Sequence, residues 1–161
     1  MDIVLTRDTG QRDVIACTLP TLPERFTLHR AQRAASGFTE GDEAALAAAP
    51  EGTTVTASGK ADGESLVMVG VAAIGLSVAS GLDLRSAGKL RDVGRDVVRY
   101  GELVITALWE AGYRDIGEIS AAGSKLLKAC TESLASRAAA VSAEARGFPK
   151  APAAPIASGA A

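Results

Sequence analysis

The sequence predicts a mainly α-helical protein: a helical bundle with a small N-terminal β-hairpin and an extended C-terminal arm. Three observations carry this. From Asp92 to Ala145, apolar residues recur at steps of three and four in two successive stripes, which is the helical period. Asp2 to Leu19 holds two short apolar runs around a Gly-containing connection, the pattern of a hairpin. After Gly147 the composition turns to proline and alanine with a single charge, Lys150. The corresponding division is 1–20 hairpin, 21–147 helical domain with a loop at 51–64, and 148–161 arm.

In the hairpin, Ile3 and Leu5 share one face and Ile15, Cys17 and Leu19 share one on the partner strand, with Asp8-Thr9-Gly10-Gln11 between them. A two-stranded ribbon is marginal alone, so it must lie on helices or add to a neighbouring subunit's sheet. Pro20 and Pro23 end the extended segment. A short helix follows over Leu22–Ala35, with Glu24, Arg25, Arg30 and Arg33 outward. Thr39, followed by Asp42 and Glu43, starts a second one that stops at Pro50. Within the loop 51–64, Thr53–Ala57 has the composition of an edge strand. Ser65 to Ser80 is the most apolar run. It is shorter than the about 20 residues a membrane span needs, and its Gly, Ala and Ser suit a buried helix packed closely against neighbours.

The organising stretch is the helical pair of Asp92–Ala145. Val93, Val97, Tyr100, Val104, Ala107 and Ala111 form the first stripe. Gly112 is placed to close that helix in a left-handed conformation. Asp115 with Glu118 forms an N-cap and capping box for the next. The second stripe runs Ile119, Gly123, Leu126, Cys130, Leu134, Ala138, Val141. The expectation is a pair with one seam, burying Val97, Tyr100, Val104, Leu126 and Leu134.

Composition narrows the function. Hydrophobic residues make up 47% but aromatics only 4%, so the core is built from small aliphatic side chains and association with other subunits would add stability. The charges, 17 basic and 19 acidic, are mixed along the chain, whereas a nucleic-acid protein shows a basic face. Cys17 and Cys130 fit no metal or redox spacing and read as small buried hydrophobes. No basic segment precedes an apolar one at the N-terminus, so synthesis in a reducing cytoplasm is expected.

No chemistry is legible. His29, the single histidine, has no Asp, Glu or Cys at ligand spacing. Gly59-Lys60 lacks the second glycine and the following Ser or Thr of a phosphate loop. Ser58 and Ser124 lack a partner histidine with a local signature. The carboxylates Asp92, Asp96, Glu102, Glu110, Asp115 and Glu118 sit at helix starts or on solvent positions, where caps and the macrodipole account for them. The expectation is no enzyme, no cofactor and no metal. Residues suited to an interface are Trp109 and Tyr113, as aromatic anchors, and the arm residues Phe148, Pro149, Pro152, Pro155 and Ile156. Prolines every third residue suit a polyproline II docking arm, with Phe148 and Ile156 as its only large apolar side chains.

The block from Arg99 to Leu127, RYGELVITALWEAGYRDIGEISAAGSKLL, resembles a segment of small proteins of tailed bacteriophages and gene-transfer particles, those encoded among head-completion and tail genes. The shared pattern is a Tyr-Gly-Glu start, an apolar helix ending in Ala-Gly, then an Ile-rich helix closing with Ala-Ala-Gly. The resemblance implies a structural or assembly role and transfers no catalytic residue. On that implication the chain is a virion structural protein made in the host cytoplasm. It is expected to be a head–tail connector (adaptor) or another neck, tail or capsid-associated subunit. It would form a homo-oligomeric ring and contact portal, stopper or tail proteins, but no sequence-specific nucleic acid and no membrane. The alternative is an intracellular tail assembly chaperone.

Overall fold

A computed structural model describes residues 1–50, 52–77, 82 and 84–147, the last four as backbone alone. Within them two antiparallel strands, β1 (Asp2–Thr6) and β2 (Arg12–Ala16), precede five α-helices: α1 (Leu22–Ala35), α2 (Glu40–Ala48), α3 (Gly63–Ser77), α4 (Val97–Glu110) and α5 (Ile116–Gly147). Short 3-10 turns at Arg85–Ala87 and Leu90–Val93 lead into α4. The expected class, mainly α with an N-terminal hairpin, is the observed one. Residues 148–161, the expected arm, lie outside the described residues.

The bundle is organised around α3. Its residues from Val69 to Ile74 are all buried, so it is apolar on every side rather than amphipathic. α4 and α5 both pack on α3 and hardly on each other, and α1 closes a further side. This corrects the expected single seam: each stripe is a core-facing stripe, and the partner of both is the small-residue helix between them. Glycines set the spacing. A Cβ on Gly101 of α4 would stand 2.1 Å from the Met68 carbonyl oxygen, and one on Gly123 of α5 would stand 2.6 Å from the Gly70 backbone. Backbone therefore touches backbone at both crossings.

Other expectations are met or revised locally. α1 has the expected bounds, and its Thr21–Glu24 capping box starts it. Of the residues expected to point outward there, Arg30 is exposed but Glu24, Arg25 and Arg33 only partly so, because they pair with Thr21, Ser133 and Glu43. Thr39 and Asp42 form a capping box that starts α2. Thr53–Ala57 forms no strand, because no neighbouring strand pairs with it. Val93 belongs to a 3-10 turn, not to α4. The chain turns through left-handed Gly94 and Arg95, each at φ 68°, before Asp96 caps Val97. Val97, Tyr100, Val104 and Leu126 are buried as expected, whereas Leu134 is half-buried and Ala138 and Val141 are exposed, since α5 outruns the body it packs on.

The hairpin lies against α5, with Ile3, Leu5, Ile15 and Cys17 inward. Leu19 does not share that face: it is 42% exposed, because β2 ends at Ala16. Gly112 is left-handed, at φ 93°, as the turn requires. Asp115 accepts the Glu118 backbone N–H at 3.1 Å, the expected cap. The return half of that box is diverted: the Glu118 carboxylate accepts from the Thr6 N–H at 2.7 Å and the Thr6 hydroxyl at 2.9 Å. The helix start is thereby tied to β1.

Candidate functional site

A polar cluster joins the hairpin to the α4–α5 turn. The Asp13 carboxylate accepts from the Arg7 Nε and from the Tyr113 hydroxyl, both at 2.6 Å, and the Gln11 amide reaches its other oxygen at 2.9 Å. Arg7 also lies over the Tyr113 ring at 5.0 Å and donates to the Ala111 carbonyl at 3.2 Å. The Tyr113 hydrogen bond, with the Arg7 guanidinium beside it, holds the Asp13 carboxyl below the usual range. Burial and the same bond push the Tyr113 hydroxyl up. Asp8 extends the clamp, its N–H donating to the Gly112 carbonyl at 2.8 Å. Arg7, Asp13 and Tyr113 are thus partnered with one another, and the cluster fastens the hairpin to the α4–α5 turn.

The cleft between the N-termini of α3 and α4 is similar. It encloses about 610 Å³ and is lined by Arg30, Asp62, Ser65, Arg95 and Asp96. Asp62 accepts from the backbone N–H groups of Glu64 and Ser65 and from the Ser65 hydroxyl, and Asp96 accepts from the Arg99 N–H. Both carboxylates are caps. Ser58 gives its hydroxyl to Asp42 at 2.9 Å and has no histidine beside it. Cys17 and Cys130 are free and buried, and burial raises both thiols. Among the described residues no group of three or more His, Cys, Asp or Glu side chains is placed to hold a metal ion. No described helix is long and apolar enough to cross a membrane.

A surface of different character runs between α1 and the distal part of α5. Leu22, Phe26 and His29 stand at steps of four and three on one face of α1. Leu134, Ala138 and Val141 follow the same rhythm on α5, and the two rows line a groove of about 830 Å³. α1 has a second apolar face, Leu28 and Ala35, buried in the body. The helices are held at their crossing by Arg25, which donates to the Ser133 hydroxyl, and by Thr131, which donates to the Gln32 side chain at 3.3 Å. Phe26 is 52% and Val141 65% exposed, so the groove presents large apolar side chains to the outside. Its titratable residues are His29 and Arg137. Burial, with Arg33 nearby, lowers the His29 pKa, so the imidazole is neutral at neutral pH and adds little charge to the groove.

The residues expected at an interface are therefore separated. Trp109 is 48% exposed at the end of α4, with the Arg114 guanidinium 5.5 Å from its ring centre. It remains available as an anchor. Tyr113 does not: it is 2% exposed and its hydroxyl is engaged by Asp13. Phe148, Pro149, Pro152, Pro155 and Ile156 lie outside the described residues. The groove itself was missed. Its signal was present in α1 as a second row, Leu22–Phe26–His29, opposite the row that carries Leu28. Compared with known proteins, the chain matches no family model, no curated protein and no solved structure.

Proposed function

We propose that the chain is a non-enzymatic structural subunit of a tailed-phage virion. Within that class it is a head–tail connector, or another neck, tail or capsid-associated ring subunit. Its α1/α5 groove is offered to a neighbouring structural protein. The observation that carries this reading is the exposed apolar row at the end of a helix that outruns its domain. Phe26 and Val141 cost free energy in water, and a row of this kind is the surface an adjoining helix or chain segment covers. The engagement of Asp13, Asp42, Asp62 and Asp96 in caps or clamps supports an assembly role over catalysis. The pattern of Arg99–Leu127 supplies the phage context. In a closed ring the contact is heterologous, with the groove of one subunit facing a different surface of the next.

Mass spectrometry of purified particles tests it. The chain is expected in the finished particle at a fixed copy number per particle. Its presence in infected lysate but absence from particles would assign it instead to transient tail-assembly chaperones. Absence from both, or turnover of a substrate by the purified protein, would overturn the structural reading.

A further inference from the structure

The hairpin leaves one strand edge open. Met1 and Cys17 exchange both backbone bonds: the Cys17 N–H donates to the Met1 carbonyl, and the Met1 amino group to the Cys17 carbonyl. At the other end the Arg7 N–H donates to the Gln11 carbonyl. Antiparallel pairs alternate between bonded and non-bonded. In the register Asp2↔Ala16, Val4↔Val14 and Thr6↔Arg12, the N–H and C=O groups of these residues therefore point away from the ribbon. On β1 they meet the body: Glu118 accepts the Thr6 N–H, and the Lys125 ammonium donates to the Asp2 carbonyl. On β2 no described residue bonds to the outward groups of Arg12, Val14 and Ala16, and all three residues are exposed. An exposed edge of this kind is a template for another strand.

We propose that a second copy of this chain occupies that edge, β2 against β2 in antiparallel sense about a twofold axis at Val14. Val14 then faces Val14 and Arg12 faces Ala16, each outward N–H meeting an outward C=O. The side chains agree. Val4 and Val14, 38% and 69% exposed, stand opposite each other on the outer face, and pairing joins them to the same two residues of the other copy in one apolar row. Charge selects the antiparallel sense. Parallel pairing in register sets Arg12 beside Arg12 at about 4.8 Å. Antiparallel pairing separates them and puts each Arg12 next to the small Ala16 of the other copy. The exposed Asp2 of that copy is one strand further, about 10 Å away, within reach of an extended arginine. A two-stranded ribbon is marginal by itself and gains from further strands. The contact is isologous and distinct from the groove. Lys125, beside β1, and Ala138, in the groove, are about 20 Å apart on α5 at about 1.5 Å per residue, so pairing leaves Phe26 and Val141 uncovered. The proposal does not rest on the virion reading.

Sedimentation velocity and residue-resolved hydrogen exchange on the full-length protein test this across a dilution series. The parent chain should dimerise, and the amides of Arg12, Val14 and Ala16 should exchange at least about tenfold more slowly in the dimer than in the monomer. The amides of Asp13 and Ile15, which already face β1, should change far less. Val14→Lys sets like charges opposite each other at the axis. It should weaken dimerisation at least about tenfold while keeping the Tm, because Val14 is exposed. Val14→Thr, also β-branched, should retain the dimer. A parent chain that stays monomeric up to about 1 mM overturns the proposal. A dimer whose amides at 12, 14 and 16 exchange as in the monomer also overturns it and moves self-association to another face. That comparison uses the parent chain alone, so it decides the matter whether or not Val14→Lys folds. None of these measurements uses particles, so failure here is distinct from failure of the virion reading.

Discussion

Asp42 shows how a single carboxylate fastens a loop. Its side chain caps α2 by accepting from the Thr39 N–H, and it also accepts from the N–H and hydroxyl of Ser58. Those bonds favour the ionised form and hold its pKa at about 2, below an ordinary value of 3.8. A carboxyl whose pKa is lower folded than unfolded stabilises the fold at pH above its unfolded value. That contribution is lost as pH falls through the folded value. Urea denaturation midpoints should therefore drop between about pH 4 and about pH 2. Asp42→Asn should flatten that part of the profile while leaving α5 intact by circular dichroism. An unchanged acid profile in Asp42→Asn would show that the loop contact is not linked to folding. The Thr39–Asp42 spacing was readable as a helix start. Ser58 was not readable as its partner, because a contact across a loop leaves no periodic trace in sequence.

At the scale of elements, the helical period identified which face of α4 and α5 is buried but was silent on what covers it. The two stripes alone imply that they meet each other, whereas the Gly- and Ala-rich α3 lies between them. The physical reason is that α3 has no polar face, so periodicity carries no directional signal for it, and its role follows only from close approach. Gly101→Ala should therefore destabilise by about 1–3 kcal/mol, because a Cβ against the Met68 carbonyl forces the helices apart. Gly41→Ala in α2 is the control. A Cβ there meets its nearest neighbour at an ordinary 3.7 Å, and the substitution should be neutral or stabilising by up to about 1 kcal/mol through helix propensity. Equal Tm values for the two variants would show that α4 and α3 tolerate separation. Leu126, fully buried on α5, should cost about 2–5 kcal/mol as Leu126→Ala, with the spread set by how far its cavity collapses.

For the whole molecule, the separation of the core from the groove gives the most discriminating experiment. The core lies around α3, and the groove lies on the far sides of α1 and α5. Phe26 and Val141 are already more than half exposed, so charging them removes little burial within the subunit. The double variant Phe26→Asp, Val141→Asp should change unfolding free energy by no more than about 0.5 kcal/mol per site, the range of ordinary surface substitutions. At an interface the same side chains are buried apolar anchors, and losing such an anchor costs at least about 2 kcal/mol. That is roughly a thirtyfold loss of affinity at one contact. In the proposed ring the loss would recur at every subunit boundary, so on that proposal incorporation into particles, read by mass spectrometry, should fall below detection while the monomer keeps its Tm. Leu126→Ala should behave oppositely: its Tm falls, yet folded subunits still assemble at low temperature. If the charged double variant enters particles at parental copy number, the groove is not the assembly face, and exposed Trp109 becomes the next surface to charge.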